Sequence, residues 1–395
     1  MEYDIIYMKR CIEIASKEIG NTYPNPLVGC VIVHENKIIG EGSHKKYGDK
    51  HAEVNAINSV DNKDLLRNSS LYVNLEPCNH FGKTPPCTDL IIKYKIQNII
   101  IGSRDPNSLV EGGGVERLKS KGCNVKYGVL QDECDCLNKR FFTYHKLKRP
   151  YIILKWAESK DGFITPIKSQ REVFKISGDE SLKLSHTWRK EENSILVGVQ
   201  TIIDDNPQLT TRLVKGKNPI RIVLDPNCRV PINSNIFSKD SKTIVLSKNE
   251  NSSISENVRI INFDKMEFIL NVLYEMKIQS VIVEGGTKTI KKFLDNDLLD
   301  SIRIFKGKEN MENGIKGPKI DLNPKDDKAK IAVEFEFRYS TVAIVIFSIL
   351  ILSIVSLQML NFNNIKKQLS LKKNDVESTI YYKTSSIQYS RNISQ

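Results

Sequence analysis

Cysteine is scarce. The chain has 8 in 395 residues, too few for a disulfide scaffold, so its thiols are read as metal ligands or as small buried apolar groups. No secretory leader is expected: MEYDIIYMKRCIEIASKEIG carries Glu2, Asp4 and Glu13 and no apolar core of signal-peptide length. With 40% apolar and 27% charged residues, the composition excludes a disordered or collagen-like chain. Acidic groups are in the minority, 47 against 59 basic ones, which leaves a net charge of +12. That excess suits nucleic acid, anionic lipid or phosphorylated small molecules and does not choose among them. At roughly 100–200 residues per domain, the length predicts two or three units.

Met8, Ile12, Ala15 and Ile19 recur at helical spacing, so the chain is expected to open on an amphipathic helix. Strands follow at Gly29–His34, Lys37–Gly42, Ser70–Leu75, Gln97–Gly102 and Asn124–Val129. Between and after them, His51–Asn58, Cys87–Tyr94, Gly112–Gly122 and Glu133–Lys148 read as helices. This alternation argues an α/β sandwich. After Lys148-Arg149-Pro150 a second α/β unit is expected, with strands at Tyr151–Trp156, Ser194–Val199, Pro219–Asp225, Lys242–Ser247, Val258–Phe263, Ser280–Glu284 and Ile302–Phe305. Its predicted helices are Glu267–Met276 and Thr287–Leu294.

Residues 306–340 are rich in both charges and read as a linker. Tyr339–Ile365 carries no charge, and Val342–Leu360 would span about 28 Å as a helix, close to the thickness of a bilayer core. Residues 341–360 are therefore a candidate transmembrane helix, and 361–395 a basic disordered tail.

One constellation carries specific chemistry. His51-Ala52-Glu53 opens a predicted helix, Pro77-Cys78 follows a strand, and Cys87 opens another helix. One imidazole and two thiolates fill three places of a tetrahedral zinc and leave the fourth open, as in catalytic sites. Helix starts at 51 and 87 favour the anionic ligands. Glu53 is placed to move a proton between water at the open position and a leaving nitrogen. An H-x-E followed by P-C is the pattern of zinc deaminases, except that eight residues separate the cysteines here where two are usual.

That long loop, in Leu75-Glu-Pro-Cys-Asn-His-Phe-Gly-Lys-Thr-Pro-Pro-Cys-Thr-Asp-Leu90, is informative. With Pro24-Asn-Pro-Leu-Val-Gly-Cys30 and His51-Ala-Glu-Val54, it closely resembles the bifunctional riboflavin-biosynthesis deaminase–reductase family. The resemblance implies a cytidine-deaminase-like domain at 1–148 with His51, Cys78 and Cys87 as zinc ligands and Glu53 as the proton shuttle. Asn25 would meet the pyrimidine edge, and His44 and Lys83 its ribose and phosphate. His34 and His80 read as surface histidines, and Cys30 as a core thiol.

In the second unit, Val281-Ile-Val-Glu-Gly-Gly286 is a strand ending in two glycines, with Thr287 able to cap the next helix. Taken alone this is more often a tight turn than an anion cradle. Thr201–Arg212, Pro219–Asp225 and Val283–Gly286 also resemble the family's reductase half, which implies a dihydrofolate-reductase-like domain at 149–305 using NADPH. By position, Ala157, Lys175, Thr201, Asp205 and the run Gly286, Thr287, Lys288, Thr289, Ile290, Lys291, Lys292 would touch the cofactor. Arg189, Leu209, Arg212 and Glu284 would face the substrate, the arginines at its phosphate.

Three departures weigh on the reductase. Val173 and Lys175 stand where the family has Ser and Trp, and Lys160 where it has Leu. After Phe305 the family's closing strands give way to the charged stretch, so the resemblance is read as ending near 305. An open sheet edge is a liability; the alternating Ile331–Phe337 offers one replacement strand. The expected activity is zinc-dependent deamination of a diaminopyrimidinone ribosylamine phosphate, then NADPH-dependent reduction of its ribosyl chain. The alternatives are a deaminase with a crippled reductase, a nucleic-acid deaminase, and a membrane-tethered zinc scaffold without catalysis. The expected partner is a small phosphorylated pyrimidine and not nucleic acid, in a cytoplasmic homo-oligomer with possible attachment through 341–360.

Overall fold

The computed structural model describes residues 2–82, 84–107, 112–166, 176, 178–248, 258–262 and 265–318, and the backbone of 332–336. Lys83, Val173, Lys175, the candidate membrane segment 341–360 and the tail lie outside the described residues. Among the described residues no helix is long and apolar enough to cross a membrane.

The first unit is built on five strands: β1 (Gly29–His34), β2 (Lys37–Ser43), β3 (Ser70–Leu75), β4 (Asn98–Ser103) and β5 (Asn124–Tyr127). Their order is β2-β1-β3-β4-β5, antiparallel around β1 and parallel from β3 onward. Strand periodicity divides the side chains between two cores. Cys30, Ile32, Leu71, Val73, Ile99 and Ile101 face helices α2 (Ala52–Ser59), α3 (Cys87–Lys93) and α4 (Gly113–Ser120). Val31, Val33, Tyr72 and Ile100 face α1 (Glu2–Ser16) through Tyr7, Met8, Cys11 and Ile14. Gly42 lets α2 lie directly on β2, since a Cβ there would stand 2.3 Å from the Ala56 nitrogen.

The helix expected over Glu133–Lys148 is two: α5 (Gln131–Leu137) and α6 (Lys139–Leu147), broken at Asn138. The cause is a tertiary contact. The buried Asn138 amide accepts from the Leu27 nitrogen at 2.8 Å and donates to the Leu27 carbonyl at 2.9 Å.

The second sheet has eight parallel strands: β6 (Tyr151–Glu158), β8 (Ser194–Gly198), β9 (Ile220–Leu224), β10 (Thr243–Ser247), β11 (Val258–Asn262), β12 (Ser280–Glu284), β13 (Ser301–Lys306) and β15 (Ala332–Glu336). The short β7 (Phe163–Thr165) and β14 (Ile315–Lys316) pair apart from it. The order β11-β10-β9-β8-β12-β6-β13-β15 inserts β12 between β8 and β6. β15 pairs with β13, Ser301 opposite Ala332, so the alternating segment does supply a further strand beside β13.

One face packs on α9 (Met266–Glu275) and α10 (Thr287–Leu294), and the other on α7 (Asp179–Glu191) and α8 (Val199–Asp205). The sequence pattern missed α7 and α8. The buried residues of α7 are Ser185, His186 and Trp188, so it offers no aliphatic stripe; Trp188 stacks on Phe305 with ring centroids 4.9 Å apart.

The two units meet around a fully buried carboxylate. Glu192, just after α7, accepts from Arg140 of α6 at 2.7 Å and from Arg303 of β13 at 3.3 Å. Burial raises its pKa, but Arg140 and Arg303 outweigh that and hold it at about 2. A depressed carboxylate stabilises the fold above its ordinary value of 4.5 and loses that contribution as pH falls toward 2. Arg140→Met should therefore cost about 3–5 kcal/mol in urea unfolding. The triple variant Arg140→Met/Glu192→Met/Arg303→Met, which leaves no buried charge without its partner, should recover most of it. Wild-type stability should fall as the pH is lowered from 4.5 toward 2.

Candidate active sites

The first site lies beyond the carboxyl end of β3. His51 precedes α2 in extended conformation, Cys78 follows β3 by three residues, and Cys87 opens α3. Their donor atoms all lie within 4.8 Å of one another, and among the described residues they are the group of His, Cys and acidic side chains able to hold a metal ion. His51 Nδ1 stands 3.5 Å from Cys78 Sγ and 3.3 Å from Cys87 Sγ. A tetrahedral zinc with bonds of about 2.3 Å to sulfur and 2.0–2.1 Å to nitrogen needs about 3.5 Å between such donors. The residues fit the ion. Hydrogen bonds with the Cys87 thiol and His51 push the Cys78 thiol down, and the Cys87 backbone N–H points at its sulfur from 3.4 Å.

Glu53, in the first turn of α2, is 3% exposed, and burial raises its pKa. It lines a cleft of about 480 Å³ together with Asn25, His44, His51 and Cys78. His44 donates from Nδ1 to the Lys50 carbonyl at 3.1 Å, which leaves Nε2 to accept from the Asn25 amide at 3.0 Å. Burial lowers its pKa, so the ring is neutral and this donor pattern is fixed. His80 is exposed, as expected of a surface histidine, and it also lines the cleft. Asp49, Asp105 and Asn107 also line the cleft; Asp105 and Asn107 belong to the segment Arg104–Val110, which resembles the family in sequence, whereas Asp49 gave no signal. Cys30 is a core thiol, as expected.

The second site lies at the carboxyl ends of β6, β8 and β12, where the strand order reverses and ligands of open parallel sheets are held. Glu284 ends β12 and accepts from Arg189 Nη2 at 2.7 Å and Nε at 3.3 Å. Lys155 of β6 approaches the same carboxylate at 3.8 Å. Burial raises the Glu284 pKa, but Lys155 and Arg189 outweigh it and hold the group at about 2. Sequence reasoning brought Arg189 and Glu284 forward and missed Lys155, which stands in an apolar strand.

It also missed His186 and Thr210. His186 is fully buried, and among the described residues neither ring nitrogen nor the buried Thr210 hydroxyl meets a hydrogen-bond partner. Burial, then Arg189 and Arg212, push the His186 pKa down to about 4. Unpaired buried polar atoms are uncommon in folded proteins, and these lie beside a charged cluster. Leu209 is buried with φ +54°, and Arg212 is exposed.

Gly286, not Thr287, is the N-cap of α10; the Thr287 hydroxyl donates instead to the Lys316 carbonyl at 3.1 Å. A Cβ on Gly286 would meet nothing within 4 Å, so the helix start opens on free space of the kind a cofactor phosphate fills. Of the remaining candidates, Ala157 lies on β6, Thr201 and the exposed Asp205 on α8, and Lys288 near the start of α10. Thr289 packs its hydroxyl on Gly198. Ile290 is wholly buried in the hydrophobic core, and Lys291 and Lys292 sit in the helix's last turn.

Residues 1–103 match the cytidine and deoxycytidylate deaminase zinc-binding region, and residues 150–307 the RibD C-terminal domain. The riboflavin biosynthesis protein RibD of Aquifex aeolicus is 39% identical over 338 residues, covering 84% of this chain and 94% of the relative. The chain belongs to the RibD family. The RibD of Escherichia coli strain K12 is 30% identical, covering 85% of this chain and 95% of the relative. A crystal structure from Thermotoga maritima, of a diaminohydroxyphosphoribosylaminopyrimidine deaminase/5-amino-6-(5-phosphoribosylamino)uracil reductase, superposes with a TM-score of 0.77 at 38% identity. It covers 86% of this chain and 97% of its own length. A coverage of 84% exceeds residues 1–305, so the likeness does not end at 305. The zinc-binding and RibD C-terminal domains carry zinc and NADPH as their cofactors.

Cys78→Ala and Cys87→Ala should each lose the one equivalent of zinc that the wild type holds after dialysis, as read by atomic absorption. Cys30→Ala should retain it.

Proposed function

We propose that this chain deaminates a diaminopyrimidinone ribosylamine phosphate in the cleft of the first unit and reduces the ribosyl chain of the product in the second. Both steps belong to riboflavin biosynthesis. Residues 1–148 form the deaminase and 149–305 a dihydrofolate-reductase-like domain that β15 extends. The observation that carries the reading is the buried Glu53 carboxyl, in the same cleft as His51 and Cys78, which with Cys87 form a donor set spaced for zinc.

Zinc, held by His51, Cys78 and Cys87, supplies Lewis-acid activation of water. Glu53 holds and moves the proton: it takes one from the attacking water and delivers it to the departing ammonia. Its raised pKa suits a group that must both accept and donate near neutral pH. Asn25, fixed by neutral His44, reads the pyrimidine edge. In the second site the glycine-opened start of α10, with Ala157, Thr201 and Asp205, receives NADPH. Lys175 belongs to the same assignment by position and lies outside the described residues. Arg189, Leu209, Arg212 and Glu284 face the phosphorylated substrate, with Lys155 keeping Glu284 ionised. A non-catalytic scaffold has no use for a buried carboxyl beside the three donors that would hold the metal.

The uncharged run Tyr339–Ile365 supports a second reading, of residues 341–360 as a membrane anchor. Sedimentation of the expressed protein with membranes tests it; a protein wholly in the soluble fraction refutes it.

Glu53→Gln should lower ammonia release from the diaminopyrimidine substrate by about 10²–10⁴-fold. Oxidation of NADPH on the deaminated product should be unchanged. A variant that deaminates at the wild-type rate would overturn the assignment.

A further inference from the structure

The loop that carries Asn25 is held from the other domain. Between α1 and β1, four residues, Gly20, Asn21, Tyr23 and Pro24, meet the second unit. Gly20, at φ +85°, lies so close to the end of α7 that a Cβ would stand 2.2 Å from the Lys190 carbonyl oxygen. Lys217 donates to the Asn21 carbonyl at 3.0 Å. The Tyr23 hydroxyl donates to the Glu191 carbonyl at 3.1 Å and lies 3.2 Å from the Ser280 hydroxyl. The Gln279 amide, 1% exposed, donates to the Pro24 carbonyl at 2.6 Å. On its far side the loop is tied into its own domain, where Asn138 and Asn74 hold both backbone groups of Leu27. Asn25 sits between these two clamps, and its amide reaches His44.

We infer that the reductase domain completes the deaminase site, with Gln279 and Tyr23 as positioning residues for Asn25. The inference rests on the reading of Asn25 as a pyrimidine contact. An amide side chain recognises a ring edge only if its plane is fixed, and the Pro24 carbonyl is one bond from the Asn25 nitrogen. Releasing the Gln279 bond lets that peptide unit turn. Gln279 has no contact with the reductase site, because it precedes β12 while Glu284 ends it, about 17 Å away at 3.3–3.4 Å per residue. Fusion of the two domains thereby has a purpose for the first reaction, independent of any transfer of intermediate between sites.

The test uses the full zinc-loaded chain. Gln279→Met keeps the side-chain volume and removes the donor. It should raise the deaminase KM about threefold to tenfold, the effect of one lost hydrogen bond, with kcat nearly unchanged. Zinc content and the reductase kinetics on the deaminated product should stay at wild-type values. Asn25→Ala should raise the same KM, and Gln279→Met should add little in the Asn25→Ala background. If Asn25→Ala raises KM and Gln279→Met does not, the positioning role is refuted while the Asn25 reading stands. If Asn25→Ala is silent, the Asn25 reading fails and the inference with it. Parallel loss of both activities in Gln279→Met also overturns it, since the amide would then serve only general stability.

Discussion

Glu192 is a carboxylate with no exposed side-chain surface, held between Arg140 of the first unit and Arg303 of the second. Taking three charges out of water is expensive, and an ion cluster of this kind is justified by the geometry it enforces more than by net stability. Here it fixes two helices at once. Glu192 ends the turn after α7, whose Trp188 stacks on Phe305 and whose Arg189 reaches Glu284. Arg140 belongs to α6, which starts beside Asn138 and its bonds to Leu27. One buried contact therefore supports both the helix that furnishes the second site and the loop that edges the first.

Each site follows from the way parallel strands end. In the first unit, β3 delivers Cys78 just beyond its carboxyl end, while the starts of α2 and α3 bring His51, Glu53 and Cys87 to the same place. In the second, the insertion of β12 between β8 and β6 opens a crevice, and the side chains at its mouth are Lys155, Glu284 and Arg189. The two centres differ in electrostatic design. In one, burial raises the pKa of the Glu53 carboxyl, and in the other a carboxylate, Glu284, is kept ionised by two cations.

Most of the strands were legible in the sequence because their aliphatic residues alternate or run continuously between turn residues, and the zinc ligands were legible because metal chemistry restricts both residue type and order. The resemblance to the family added the reductase residues, which no spacing rule identifies. What escaped did so for physical reasons. Helix α7 buries serine, histidine and tryptophan, so no apolar period marks it. The break at Asn138 comes from a partner 111 residues away. His186 and Thr210 are polar residues whose significance rests on lacking partners after folding, a property no local pattern displays. Lys155 reads as an interruption in a strand until Glu284 is placed beside it.

One chain carries two centres that act in sequence. This is tested most directly by giving the zinc-loaded protein the diaminopyrimidine ribosylamine phosphate and NADPH together, and following ammonia and NADPH in the same reaction. Equimolar ammonia release and NADPH oxidation are expected, with oxidation lagging behind deamination. Ammonia released without NADPH oxidation would contradict this.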